Sequence, residues 1–208
     1  MKNEYLTVFK NNKYPRKKIL FLGYNRDRTK LIDFLLNQGC EVHYTDKMID
    51  RFEYDLIVCF GYRKILKSST LAKISCPIIN LHISYLPYNR GAHPNFWSFI
   101  DNTPKGISIH EIDSGIDTGK IIFRQKIKIN PYKKNFSTFK KTHAYLINQV
   151  EKLFIKKFEK ILMKKYKSFK QKGKNTYHLK SNLPAELKNW NTNIIKFKKA
   201  YIKNHLNK

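Results

Sequence analysis

Residues 80–97 read NLHISYLPYNRGAHPNFW, and residues 106–119 read GISIHEIDSGIDTG. The apolar run Pro77-Ile78-Ile79 leads into the first of these segments. Polar side chains with acid–base and hydrogen-bonding capacity then follow, set among glycines and prolines. This order is typical of a buried strand that delivers reactive side chains to the end of a β-sheet.

The chain before this segment predicts a parallel sheet. Apolar runs predict strands, and three- and four-residue apolar spacing predicts helices between them. The predicted strands are residues 19–23, 41–45, 55–61 and 75–80, and the predicted helices are residues 27–38 and 64–74. Such alternation implies βα units, so we expect an α/β, Rossmann-like, mostly parallel sheet that binds ligands beyond the carboxyl ends of its strands. Because the motif GxGxxG is absent, a dinucleotide held in the usual way is not expected. The P-loop motif GxxxxGK[ST] is absent as well.

After the opening segment the pattern changes. A helix is expected after Pro94, and two antiparallel strands are expected at residues 107–112 and 121–129 around the loop 113–119. Residues 137–165 carry an amphipathic helical pattern, whose apolar stripe predicts core packing. We therefore predict a catalytic domain over residues 1–130 and a helical extension with a short basic tail over residues 131–208, packed on that domain.

The charge is extreme and uneven. The 208 residues include 42 basic and 15 acidic ones, a net charge of +27, and residues 131–208 alone contribute 21 basic and 3 acidic groups. A basic chain usually suggests nucleic acid or an anionic membrane as partner. A compositional bias toward Lys, Asn and Ile explains the charge equally well, so RNA binding by the basic tail stays an open alternative. A homodimer built from the long helix or from the C-terminal segment is a further one.

The cysteines indicate a reducing compartment, and the hydropathy indicates that no segment spans a membrane. Cys40, Cys59 and Cys76 occur singly beside apolar segments, without the spacing of a zinc site, so we expect free thiols and no metal. Apolar runs are all shorter than the ~18 residues of a membrane span, and the N-terminus lacks an apolar signal core. We therefore expect a cytoplasmic protein that does not bind a membrane.

Three residues could perform acyl chemistry. Asn80 and His82 share one side of an extended strand because they are two residues apart. An amide N–H suits a developing oxyanion, an imidazole moves a proton near neutral pH, and Asp117 could orient that imidazole or hold a water. No serine or cysteine has the context of a nucleophile, which favours direct transfer between two bound substrates. Taken alone, Asn-x-His is a weak signal, because a single buried histidine is often structural.

The combined motif resembles the catalytic domain of the formyltransferase family, which includes methionyl-tRNA formyltransferase, glycinamide ribonucleotide transformylase and the sugar N-formyltransferases. The resemblance covers about residues 17–130. The matching residues are Asn80-x-His82-x-Ser84-x-Leu86-Pro87, Arg90-Gly91, Pro94, Trp97, Gly106-x-x-x-His110 and Asp117-x-Gly119.

The resemblance implies a donor, 10-formyltetrahydrofolate, and roles for the matched residues. Asn80 corresponds to the residue that stabilises the tetrahedral oxyanion, His82 to the general base, and Asp117 to its supporting acid. The donor-binding residues implied are Lys64, Ile65 and Leu66, whose backbone lines the pterin pocket, and Ile112, Asp113 and Gly115 of the loop that closes over it.

The acceptor is implied by the segment 88–97 with Thr103-Pro104-Lys105-Gly106, which is most similar to enzymes that formylate nucleotide-linked 4-amino-4,6-dideoxy sugars, as in lipopolysaccharide O-antigen biosynthesis. The substrate-binding residues implied are Tyr88, Arg90, His93, Asn95 and Trp97. The tRNA enzymes are expected to carry a C-terminal β-barrel, for which the residues after Asn130 are too few and too helical. The tail is also shorter than is usual in the sugar enzymes. Formylation of tRNA, and a non-catalytic RNA-binding relative, remain alternatives because of the basic tail.

Overall fold

The computed structural model describes residues 5–6, 14, 17–49 and 53–205. The strands, in chain order, are β1 Tyr5–Leu6, β2 Lys18–Gly23, β3 Glu41–Thr45, β4 Leu56–Phe60, β5 Ile78–His82, β6 Arg90–Gly91, β7 Gly106–Glu111, β8 Ile121–Lys126 and β9 Tyr177–His178. The helices are α1 Leu31–Asn37, α2 Ser68–Leu71, α3 Pro94–Ile100, α4 Phe139–Leu162 and α5 Ile194–His205.

Seven strands form one sheet in the order β1-β3-β2-β4-β5-β7-β8. β2 pairs in parallel with β3 and with β4, and β4 pairs in parallel with β5, whereas β1 is antiparallel to β3. This mostly parallel α/β sheet confirms the predicted fold class. Because β3 and β4 lie on opposite sides of β2, the carboxyl ends of β2 and β4 flank the kind of crevice in which open α/β sheets bind ligands.

The last two strands of the sheet run antiparallel, as the alternating sequence pattern predicts. Backbone hydrogen bonds join Glu111 N to Lys120 O (2.8 Å) and Ile127 N to Lys105 O (2.9 Å). β7 and β8 therefore form a β-hairpin, and the loop that joins them contains Asp117.

The chain forms two compact units, each built from three segments. The first unit comprises Met1–His82, Ile109–Ile122 and Glu151–Lys170, and the second comprises Ile83–Ser108, Phe123–Val150 and Gln171–Lys208. Both units draw on both sides of residue 130, and the sequence-based division into residues 1–130 and 131–208 stays a prediction.

The core of the first unit is built on β4, which is buried along its whole length. On one face Leu20, Leu22, Ile57 and Cys59 form an apolar cluster, as expected for two neighbouring parallel strands with a side-chain period of two. The second half of α4 packs Phe158 against Phe34 of α1, with ring centroids 5.4 Å apart. Its apolar stripe thus serves core packing, as predicted.

The second unit has a core of its own, in which α3, α4 and α5 meet. Its buried cluster consists of Phe96, Trp97, Phe99, Phe139, Ile194 and Phe197. The two-residue strands β6 and β9 form a separate parallel pair beside this cluster, with Arg90 opposite Tyr177 and Gly91 opposite His178. The sequence pattern did not predict this pair, because two-residue strands carry no detectable periodicity.

Two helices are shorter than predicted, for physical reasons. α1 begins at Leu31 rather than residue 27, because the hydroxyl of Thr29 accepts the Leu31 N–H (3.2 Å) and itself donates to buried Glu151 (2.6 Å). α2 contains only Ser68–Leu71, and it begins at Ser68 rather than residue 64 because Lys67 before it is extended with ψ of 154°.

The cysteines among the described residues are free thiols, as predicted. Cys40 and Cys59 are buried, and Cys76 is half-buried. Burial raises the pKa of the Cys40 thiol to about 11, so this thiol is protonated at neutral pH. In the part of the chain that the structure describes, no helix is both long and apolar enough to cross a membrane.

Glu151 provides a test of how the turn before α1 is held. Replacing Glu151 by Ala leaves the buried Thr29 hydroxyl and the Lys30 N–H (3.3 Å) without their acceptor. We expect the free energy of unfolding, measured by urea denaturation, to fall by about 1–3 kcal/mol. The exposed Lys152→Ala, on the same helix, is the control and should cost less than about 0.5 kcal/mol. Equal losses in the two variants would contradict this account.

Candidate active site

Four polar side chains of the first unit converge beside β5. Asn80 and His82 lie on β5, His110 lies on β7, and Asp117 lies in the loop after β7. His82 is 7% exposed and His110 is 2% exposed. The three residues that the sequence singled out for chemistry therefore lie together with a fourth, His110.

The amide of Asn80 is held by two acceptors. Its Nδ2 atom lies 3.0 Å from Asp117 Oδ1 and 3.1 Å from His110 Nε2. A carboxylate oxygen only accepts hydrogen bonds, so the atom that faces Asp117 must be the amide nitrogen rather than the amide oxygen. Both N–H groups of Asn80 thus have an acceptor, and the orientation of the amide is determined.

His110 is held in one tautomer. Its Nδ1 atom lies 2.7 Å from the carbonyl oxygen of Glu111, which only accepts, so Nδ1 carries the proton and donates it. Nε2 is then the acceptor for Asn80. From the sequence, His110 stands out only as part of the matched motif. The available signal was a polar residue within a strand that is buried on both faces, whereas its role depends on β7 lying beside β5.

His82 lies beside the carboxylate of Asp117. Its Nδ1 atom is 3.7 Å from Asp117 Oδ2, a distance for charge attraction rather than for a hydrogen bond. His110 Nε2 is 3.4 Å from the other oxygen, Oδ1. Asp117 thus separates two imidazoles and can stabilise a positive charge on His82.

The loop that carries Asp117 is shaped by its own side chains. Asp113 Oδ1 accepts from Gly115 N at 3.0 Å and from Thr118 Oγ1 at 2.5 Å. Asp117 adopts a left-handed backbone conformation with φ of 52°. A Cβ atom on Gly119 would lie 1.7 Å from Glu111 O, so only glycine lets the loop close this tightly.

The residues predicted to hold the formyl donor occupy two loops of the first unit. In the segment 64–66, Lys64 and Ile65 are exposed while the Leu66 side chain is buried and anchors the segment. Within the described part of the chain, the backbone groups of residues 63–66 make no hydrogen bond, which leaves them available to a ligand. Unpaired backbone groups of this kind suit the polar edge of a pterin, and their role in donor binding stays a prediction.

The other predicted donor residues lie in the loop after β7. Ile112 is half-buried and packs on the core cluster of the first unit, whereas Asp113 and Gly115 are exposed. The contacts observed for Asp113 are those that shape the loop. Among the described residues, no group of three His, Cys, Asp or Glu side chains is arranged to hold a metal ion.

The residues predicted to bind the acceptor lie in the second unit and differ in exposure. Tyr88, Arg90 and His93 are half-buried. Asn95 is buried, and its Nδ2 atom donates to Phe139 O at 3.0 Å. The buried ring of Trp97 stacks on the ring of His178, with centroids 3.9 Å apart. The Asn95 Oδ1 and Trp97 Nε1 atoms are buried without a partner among the described residues. The binding role of all five stays a prediction.

Comparison with known proteins identifies the family. The family described as formyl transferase matches residues 33–150, more than half of the chain. The chain belongs to the formyl transferase family. The resemblance predicted from the motif is thereby confirmed.

Other members of the formyl transferase family share both sequence and fold with the chain. The crystal structure of the formyltransferase PseJ from Anoxybacillus kamchatkensis, a complex with UDP-4,6-dideoxy-4-formamido-L-AltNAc and tetrahydrofolate, is 36% identical with a TM-score of 0.77. The similarity covers 86% of this chain and 96% of that chain.

Curated family members match over shorter stretches. The dTDP-4-amino-4,6-dideoxyglucose formyltransferase of Mycobacterium tuberculosis is 33% identical over 86 residues, which are 41% of this chain and 36% of the relative. The methionyl-tRNA formyltransferase of Finegoldia magna is 33% identical over 84 residues, which are 40% of this chain and 27% of the relative. The match thus spans about a third of the length of these curated relatives.

Whether Asp113 holds the loop 113–119 in its closed shape can be tested without an activity assay. Asp113→Ala removes the acceptor for Gly115 N and Thr118 Oγ1. We expect amide hydrogen exchange in residues 114–119 to accelerate about tenfold, because the loop loses the bonds that close it. Asp27→Ala is the control, since Asp27 accepts from Asn25 in another exposed loop and should leave residues 114–119 unchanged. Unaltered exchange in Asp113→Ala would show that other contacts hold the loop.

Proposed function

We propose that the protein transfers a formyl group from 10-formyltetrahydrofolate to the amino group of a nucleotide-linked amino sugar of the 4-amino-4,6-dideoxyhexose type. The observation that carries formyl transfer is the shared amide of Asn80, held by Asp117 and His110 beside His82. The likeness to PseJ over most of both chains supports the acceptor class.

The reaction needs no covalent enzyme intermediate. The acceptor nitrogen forms a bond to the formyl carbon, the bond from that carbon to N10 of the donor breaks, and a proton passes from the acceptor nitrogen to N10. The products are a formamide and tetrahydrofolate. The site residues are an amide, two imidazoles and a carboxylate, which suit charge stabilisation and proton transfer rather than nucleophilic attack.

Asn80 stabilises the oxyanion in this proposal. An oxygen that becomes negative beside Nδ2 competes for the N–H that Asn80 donates to His110. An oxyanion is a stronger acceptor than a neutral imidazole, so the N–H can turn to it while Asp117 still holds the amide. Asp117 thus fixes the orientation of the Asn80 amide before the reaction begins, and only the N–H bonded to His110 has to change its acceptor.

His82 takes the proton from the acceptor nitrogen, and Asp117 stabilises the imidazolium that forms. The His82–Asp117 distance of 3.7 Å can shorten when the ring becomes charged. The backbone of residues 64–66 and the loop 112–115 hold the pterin in this proposal, and Asp113 acts by shaping that loop.

The acceptor is proposed to contact the half-buried Tyr88, Arg90 and His93. Asn95 and Trp97 contribute through packing or through Asn95 Oδ1 and Trp97 Nε1, which have no partner in the described part of the chain. We further propose a cytoplasmic location, because the free thiols suit a reducing compartment.

Formylation of tRNA is the second candidate, and the charge of the second unit favours it. This unit contains 18 basic and 2 acidic residues. Such an excess attracts the phosphate backbone of RNA, and the binding would weaken steeply as salt rises. The relative from Finegoldia magna is a methionyl-tRNA formyltransferase.

A product screen separates the two candidates. The protein is incubated with 10-formyltetrahydrofolate and a panel of dTDP-, UDP- and GDP-linked 4-amino-4,6-dideoxyhexoses, and in parallel with charged initiator tRNA. We expect mass spectrometry to detect the mass gain of one formyl group on at least one sugar nucleotide. Reactions without donor are the control. If tRNA is formylated and every sugar nucleotide is unchanged, the proposed sugar acceptor is rejected and formylation of tRNA is established.

The catalytic roles are tested by substitution. We expect Asn80→Ala to lower turnover by about two to three orders of magnitude, the usual loss for one oxyanion donor, and His82→Ala to lower it at least as much. Asn37→Ala, at the exposed end of α1, should leave turnover unchanged. Stopped-flow assays at saturating donor and acceptor measure these rates. Near-normal turnover in His82→Ala would show that another group accepts the proton.

A further inference from the structure

Arg90 is held by a segment far along the chain. Its Nε and Nη2 atoms both donate to Gln171 Oε1, at 3.1 and 2.8 Å. Its backbone N–H donates to Thr176 O at 2.9 Å. Both the main chain and the side chain of Arg90 are therefore positioned by the residues that lead into and form β9.

The backbone around Arg90 is equally constrained. Asn89 and Gly91 adopt left-handed conformations with φ of 53° and 84°. Asn89 is fully buried, and its Nδ2 donates to Thr103 Oγ1 at 2.8 Å. A Cβ atom on Gly91 would lie 2.4 Å from His178 O. Only glycine fits at position 91, and the buried side chain of Asn89 fixes its own left-handed turn, so the backbone on both sides of Arg90 is tightly determined.

The partner of Arg90 is a neutral amide, which leaves the guanidinium charge uncompensated. The second unit contains only two carboxylates, Asp101 and Glu186. Both have histidine partners: Asp101 Oδ2 lies 2.7 Å from His178 Nε2, and Glu186 Oε1 lies 3.6 Å from His205 Nε2. Among the described residues no carboxylate pairs with Arg90, and its Nη1 atom has no hydrogen-bond partner.

A half-buried guanidinium with one edge fixed and the other edge available suits a phosphate. Gln171 occupies Nε and Nη2, so the N–H groups of Nη1 remain for a ligand. Arginine binds phosphate through paired N–H groups, and the interaction is strongest when the guanidinium does not need to be ordered first. A carboxylate at position 171 would neutralise the charge, whereas an amide orients the group and leaves its charge intact.

We propose that Arg90, oriented by Gln171, binds the diphosphate of the nucleotide-linked acceptor. The identity of the acceptor rests on the proposed function, whereas the anion site itself does not. Gln171 is a positioning residue, because it acts on the ligand through Arg90. The sequence offered no sign of it, since 81 residues separate the two side chains.

The test uses Gln171→Glu, which preserves the shape of the side chain and places a carboxylate on Nε and Nη2. Binding of UDP, inorganic pyrophosphate and uridine is measured by isothermal titration calorimetry at constant ionic strength. We expect the affinity for UDP and for pyrophosphate to fall at least about tenfold, because the charge of Arg90 is neutralised. Uridine lacks phosphate, and its affinity should not change.

Gln125→Glu is the matched control, since Gln125 is exposed on β8 of the same unit and the variant adds the same charge. It should bind pyrophosphate as the wild type does. Unchanged affinity for pyrophosphate and UDP in Gln171→Glu would overturn the proposal, as would a wild-type protein that binds neither. Arg90→Gln, which should lose phosphate binding while Gln171 is intact, replaces Gln171→Glu if that variant fails to fold.

A kinetic measurement separates positioning from stability. We expect Gln171→Glu to raise KM for the accepted sugar nucleotide about tenfold, with KM for the formyl donor and the midpoint of thermal unfolding unchanged. A parallel rise in both KM values would indicate a general structural role and overturn the assignment. If no sugar nucleotide is formylated but pyrophosphate binding still depends on Gln171, the proposed function fails and the anion site stands.

Discussion

The amide of Asn80 is shared between the carboxylate of Asp117 and the ring of His110, and the candidate site depends on that sharing. A primary amide has two N–H groups, and here each has a different acceptor. The amide can meet both only if β7 lies beside β5 and the loop after β7 turns back tightly. The antiparallel end of the sheet and the closed loop are therefore as important to the site as the residues that perform chemistry.

Much of the fold could be predicted from the sequence, because buried parallel strands are nearly continuous apolar runs. β4, with all five residues buried, is the clearest instance. The boundaries that failed depend on contacts with distant residues. α1 begins at Leu31 because Thr29 bonds to Glu151, which is 122 residues away. No local pattern around Thr29 reveals that contact.

In the candidate site, too, local patterns predict some features, whereas contacts between distant residues determine others. The two-residue spacing predicts that Asn80 and His82 share one side of a strand, and glycines beside Asp117 predict a tight loop. The role of His110 depends on which strand is its neighbour, and spacing alone does not tell this. The hydrogen bonds between Arg90 and Gln171 are beyond any local pattern, because the two residues are 81 positions apart in the sequence.

The positive charge of the chain has two separate origins in this view. A compositional bias adds lysines where they are tolerated, which is on exposed surfaces, and ion pairs made by such lysines contribute little to stability. Arg90 is different because it is half-buried, its backbone is constrained, and its partner is an amide. A carboxylate in place of the Gln171 amide would neutralise the charge of Arg90, with little net gain in stability, because desolvation offsets the attraction in a half-buried ion pair. The amide orients the guanidinium and leaves its charge intact, as expected where the charge itself is used to hold a ligand.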